Sequence, residues 1–248
     1  MKSTLCYLFA LALLTGCATV PPPPPIPASV AATVPATVPA TVPATVPAGP
    51  GQYEAWYAKA RQGGEQVYAI DAAQSLITVT VRRGGALARL GHDHVVASRT
   101  VAGLVAPRAG RADFHFRLDE MSVDEASLRA DAGLDTTPSP EAIAGTRSNM
   151  LNRVLEADRF PFVSMSARRI AGKPSLLRLD VTLHGVTRGY DVPVRVDQAG
   201  TRLIASGDMK LLQTEFGITP LSVMGGAMTV QDEMELKFRI VALAGTRR

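Results

Sequence analysis

The sequence predicts a mainly β protein, an antiparallel sandwich or closed barrel, and three observations carry that prediction. From residue 76 onward, apolar and polar residues alternate with period two in run after run. Gly, Pro and Asp turns separate the runs. Between them, only residues 139–161 carry helical spacing, so the crossover helices that a parallel sheet requires are missing.

Residues 1–17, MKSTLCYLFALALLTGC, place Lys2 ahead of an apolar run from Leu5 to Leu14 that is too short to span a bilayer as a helix. This predicts a secretory signal peptide over residues 1–16. Its end, Leu14-Thr15-Gly16-Cys17, is similar to the bacterial lipobox, in which the cysteine is acylated and cleavage falls just before it. Cys17 is then the lipid anchor, attaching the chain to a membrane. Two or three acyl chains hold far better than one, at about 0.8 kcal/mol per buried methylene. Cys6 leaves with the leader, so a single cysteine remains and no internal disulfide is available. Ala18 after the cysteine resembles the sorting signal of outer-membrane lipoproteins. The expected location is the cell envelope, at the outer membrane facing the periplasm.

Residues 17–50 read as a tether. The repeated Ala-Thr-Val-Pro contains no charge, and its prolines fix φ and delete backbone donors, which leaves extended polyproline II as the default. At about 3.1 Å per residue such a segment reaches on the order of 90 Å. Residues 51–65 form a short helical lead-in: YEAWYAKAR, with Trp56, makes about two turns before QGG ends it.

The domain proper is expected over residues 66–248. In LITVTVR, Ile77, Val79 and Val81 share one face. ADFHFRLD sets Phe114, Phe116 and Leu118 against His115 and Arg117, and LLRLDVTLHG sets Leu177, Leu179, Val181 and Leu183 against Arg178, Asp180 and Thr182. YDVPVRVD, with Val192 and Val194, is expected as one strand over residues 190–197. The last long run, residues 228–243, turns Met234, Leu236, Phe238 and Ile240 to one side. The exception, residues 139–161, predicts a helix or a helix pair across Gly145, capped by Ser139 with Pro140 at its first position. In a barrel such an insertion closes one end or frames an entrance.

Several strings resemble the YceI-like family. LDVTLHGVTRGYDVPVRV is similar to its LTLHGVTK strand pair, and DRFPFVSMSARRI to its acidic-aromatic-Pro turn into a Ser-bearing strand. LLQTEFGI resembles its FGI segment, and VQDEMELKFRIVA its closing strand. The likeness runs in order over roughly residues 67–244. It implies an antiparallel lipocalin-like β-barrel of about eight strands with a helical insertion, exported, holding a polyisoprenoid, quinone or similar lipid inside. Phe114, Phe116, Val181, Leu183, Val192, Val194, Leu236 and Phe238 are the residues expected to line that interior. The same residues would equally fill a solid core, since an eight-stranded barrel is just wide enough for either arrangement.

The segment LARLGHDHVV departs from the family pattern and holds two of the four histidines. His92 and His94, two apart, fall on one side of a strand with Asp93 opposite, and such a pair can share a metal ion. A metal- or haem-linked redox or hydrolytic protein is therefore the alternative function. Neither His-Glu-x-x-His nor a Gly-x-Ser-x-Gly turn is present, so the residues favour a non-catalytic carrier with no cofactor. A third reading places Arg89, His92 and His94 at the rim, receiving a lipid headgroup. The net charge of +4 is dispersed along the chain, which argues against a nucleic-acid partner.

Overall fold

The computed structural model describes Gly51 and residues 53–245; the expected signal peptide, Cys17 and the tether lie outside them. Alternation of apolar and polar residues builds the sheet directly. Its strands are β1 (Tyr68–Ile70), β2 (Leu76–Gly84), β3 (His94–Ser98), β4 (Ala102–Ala106), β5 (Arg111–Arg117), β6 (Ser122–Val123) and β7 (Phe162–Ile170). They continue with β8 (Lys173–Leu183), β9 (Val186–Pro193), β10 (Arg195–Ala199), β11 (Arg202–Leu212), β12 (Ser222–Val223) and β13 (Met228–Ala244). Every pairing is antiparallel.

The strand order is β6-β3-β2-β13-β1-β4-β5-β7-β8-β9, with β11 on the other edge of β13 and β10 beyond it. β13 is the spine. Its first half pairs with β2, its last residues pair with β1, and β11 runs along its opposite edge. Of the sandwich or barrel expected, the sheet takes the barrel-like form, curling round with a helical insertion but without a closing ladder. Where the wall would join, β9 meets β11 edge to edge at one point: a Cβ on Gly207 would lie 2.7 Å from the Pro193 carbonyl oxygen. The expected single strand over 190–197 is also two, because β9 stops at Pro193 and β10 starts at Arg195. Proline cannot donate to a ladder, and the Val194 amide turns to the Ser175 carbonyl instead (2.9 Å).

The β8–β9 hairpin explains LHGVT. His184 and Gly185 form its two-residue turn with φ of +51° and +75°, the combination a primed turn demands. Gly185 is doubly constrained, since a Cβ there would meet the Phe160 ring at 2.8 Å. Thus the DRFPF turn packs on the LHG turn. A bulge in β13 between Val230 and Met234 lets Asp232 leave the ladder and accept from the Thr214 amide (2.8 Å) and hydroxyl (2.6 Å). That contact fixes a 3-10 turn at Gln213–Phe216, which sends fully buried Phe216 and nearly buried Ile218 into one end of the interior.

Three helices complete the domain: α1 (Glu54–Gln62), α2 (Ala126–Asp131) and α3 (Pro140–Ser148). α3 begins as its sequence requires, with Ser139 Oγ accepting from the Ala142 amide (3.2 Å). It passes unbroken through Gly145 and widens into a π-helical turn over Asn149–Val154. α1 packs against the outer face of β4 and β5. Tyr57 is fully buried there, and its hydroxyl donates to Asp113 (2.9 Å), which also accepts from Ser166 (2.7 Å) and Arg111 (2.6 Å). The Arg111 guanidinium in turn lies 4.4 Å over the Trp56 ring.

Candidate functional site

The interior is hollow. Two adjoining chambers, of about 240 Å³ and about 500 Å³, lie along the barrel, and Met165 borders both. The smaller lies under α3 and its π-turn, with Thr146, Asn149, Met150, Val154 and Leu155 forming one wall. The larger opens toward the other end, where Pro107, Arg108 and Arg169 stand at the edge. The walls are mainly apolar, the smaller chamber's the more so, while Gln66, Arg108, Arg111, Arg169 and Gln198 add polar groups to the larger, so water gains little by entering most of the hollow.

Each of the eight interior residues expected from the alternation stands on a chamber wall. Phe116, Val181, Leu183 and Leu236 line the smaller chamber; Phe114, Val192, Val194 and Phe238 line the larger. Period two does this work: on β8, Leu177, Leu179, Val181 and Leu183 face the chambers, while Arg168 reaches Asp180 outside (2.9 Å).

The rim residues separate. His92 and His94 both line the smaller chamber, their ring centroids 6.2 Å apart, although β3 begins only at His94. Arg89 sits on an exposed 3-10 turn, Ala88–Leu90, and is on neither chamber wall. Asp93 points the other way, toward Arg82 (3.4 Å) and the Arg83 amide (2.8 Å). Gly85 shapes this corner: its φ is +86°, and a Cβ there would lie 2.5 Å from the Ala227 carbonyl oxygen.

His94 is oriented by a network absent from any motif. Its Nδ1 lies 2.6 Å from Asp124 Oδ2. Asp124 also accepts from the Val95 amide (3.1 Å) and from Arg129 Nη1 (2.6 Å). Arg129, buried on α2, spends its other donors on the carbonyls of Asp93 (2.8 Å) and Thr136. Burial alone would raise the Asp124 pKa, but the bonds from His94 and the Val95 amide outweigh it and hold the carboxyl below its ordinary value. An ionised carboxylate only accepts, so His94 Nδ1 carries the proton toward it and Nε2 faces the chamber, 3.4 Å from the Thr146 hydroxyl.

The remaining histidines are elsewhere. His115 stacks outside beneath Tyr53 (Nδ1 to hydroxyl, 3.1 Å), and His184 sits in the β8–β9 turn. Among the described residues, no group of three His, Cys, Asp or Glu side chains is placed to hold a metal ion. None of their helices is long and apolar enough to cross a membrane.

A barrel-like antiparallel sheet around an apolar hollow, with two histidine rings at one wall, defines the class: a small β protein with a cavity at its centre. The YceI-like domain model matches residues 68–242, and the chain belongs to that family. Its fold is similar to that of a polyisoprenoid-binding domain from Saccharophagus degradans, at 11% identity and TM-score 0.53, covering 73% of this chain and all of that one. Weaker likenesses are BcnA of Burkholderia cenocepacia (14% identity, TM-score 0.47, 69% of this chain and 98% of that one) and a Campylobacter jejuni YceI protein (12%, 0.40, 59% and 81%). No curated protein matches the chain.

Proposed function

We propose that this protein is a lipid carrier of the cell envelope, acylated at Cys17, that holds a long apolar chain of polyisoprenoid or quinone-tail type in its barrel. The observation that carries the reading is the pair of aliphatic chambers meeting at Met165. Burying a hydrocarbon there gains about 25 cal/mol per Å² and needs no directional contacts, so no catalytic group is called for. The family and the polyisoprenoid-binding neighbour support the same ligand class. The Leu-Thr-Gly-Cys sequence supports the anchor, and the proline-rich residues 17–50 then act as a spacer between the outer membrane and the barrel.

A Cys17→Ser chain, freed from the membrane and purified without detergent, tests both halves. Mass spectrometry of its organic extract is expected to show one long-chain lipid at near one-to-one ratio, and a Val181→Trp variant to show several-fold less. Recovery of empty protein from cells rich in such lipids would remove the carrier reading. A Cys17→Ser chain that still sediments with membranes would remove the anchor.

A further inference from the structure

Resting on the carrier reading, we infer that His94 and His92 form the polar terminus of the ligand site and select a long-chain lipid ending in a neutral hydroxyl. The hydrogen-bond inventory leads there. His94 donates Nδ1–H to Asp124 at 2.6 Å, so in the neutral ring Nε2 is an acceptor, turned into an apolar chamber. Its neighbour there, the Thr146 hydroxyl, stands 3.4 Å away, at the long limit of a hydrogen bond. His92 lies on the same wall, and its Nδ1 is buried with no partner. An unmatched buried nitrogen costs on the order of what a hydrogen bond is worth, so a guest supplying the missing partner is favoured over one that does not.

One oxygen between the two rings satisfies both if it donates to His94 Nε2 and accepts from a ring N–H of His92. The centroid separation of 6.2 Å leaves room for it. A hydroxyl does both; an ether or ketone oxygen only accepts, and so does an ionised acid. Charge points the same way. Asp124 and Arg129 already pair one charge of each sign at 2.6 Å. Arg83, the guanidinium on this wall, is already bonded to the Gly91 carbonyl (2.9 Å) and lies 3.7 Å from both Asp93 and Asp135. A carboxylate or phosphate head would thus be desolvated in the chamber without a cation of its own. The aliphatic remainder of the guest runs along β8 toward Met165.

The test compares farnesol, farnesyl methyl ether and farnesoate by titration calorimetry against the full chain carrying Cys17→Ser. Farnesol is expected to bind about tenfold more tightly than its ether, the value of one good buried hydrogen bond, and farnesoate more weakly than farnesol. In His94→Phe the alcohol and ether are expected to bind alike, with the ether near its original affinity, which shows the variant folded. His92→Phe, outside the Asp124 network, is expected to shrink the gap by about threefold. Labelled-imidazole NMR should show the His94 Nε2 resonance moving with farnesol and not with the ether. Equal binding of alcohol and ether to the unmodified histidine pair, or tighter binding of farnesoate, would overturn the headgroup assignment while leaving the carrier reading intact. Failure of all three probes to bind would overturn both.

Discussion

Two buried aspartates, Asp113 and Asp124, belong to the same sheet system and do different things with nearly the same chemistry. Each is bonded to an arginine at 2.6 Å, and each accepts two further hydrogen bonds. Around Asp113 the partners are Tyr57 of α1, Ser166 of β7, and Arg111, which rests on Trp56 and borders the larger chamber with its charge paired. Around Asp124 one arm ends in the cavity, because His94 turns its second nitrogen into the smaller chamber. A buried charge pair is thus no sign of function by itself. What sets the second apart is that its chain ends on a chamber wall, where His94 Nε2 meets only the Thr146 hydroxyl at 3.4 Å.

The largest effect that tests this contrast is Asp124→Ala. It leaves Arg129, 7% exposed, with no carboxylate, and unpairing a buried ion typically costs about 3–5 kcal/mol. Asp113→Ala is expected to cost less, about 1–3 kcal/mol, since Arg111 is 22% exposed and water replaces the lost partner. Urea unfolding of the two variants measures the order, and a reversed order would break the comparison.

Tyr57→Phe comes next. It deletes one hydrogen bond to Asp113 and keeps the ring packed, for about 1 kcal/mol. Lipid recovered with that variant should be unchanged, because α1 touches neither chamber.

Acid should reveal Asp124. Its folded pKa is depressed, so its contribution is fully present above the unfolded value near 3.9 and is lost as pH falls through the folded pKa. Stability measured from pH 5 down to pH 2 should therefore fall with a slope that Asp124→Asn removes.

The smallest effect belongs to His115, whose pKa is lowered by burial beneath Tyr53. Folding prefers the neutral ring, so this contribution is present above about pH 6.5 and declines as pH falls through the folded pKa. Trp56 fluorescence should report a mild loosening of α1 over that range, absent in His115→Gln.

How much of this was legible in the chain follows from locality. The alternation puts the eight expected lining residues on chamber walls, because period two needs no knowledge of the partner strand. The Ser139-Pro140 start of α3 was equally readable, because capping is local. The Asp124–Arg129 network was not. Asp124 is 30 residues from His94, on no periodic run, and with φ at +56° just after a two-residue strand. α2, six residues long, is too short for a helical stripe to show; the acidic pair Asp124-Glu125 ahead of it was its one local trace. Whether the wall closes is not local either, since it depends on how β9 and β11 approach each other. Arg89 was grouped with the histidines by nearness in sequence, and the turn at Ala88–Leu90 carries it away from them.

Met165 stands where the two hollows meet, and methionine is unbranched with three freely turning bonds. A branched residue at that place would make a fixed bulkhead. With a thioether there, the divide between the two hollows is a single unbranched side chain.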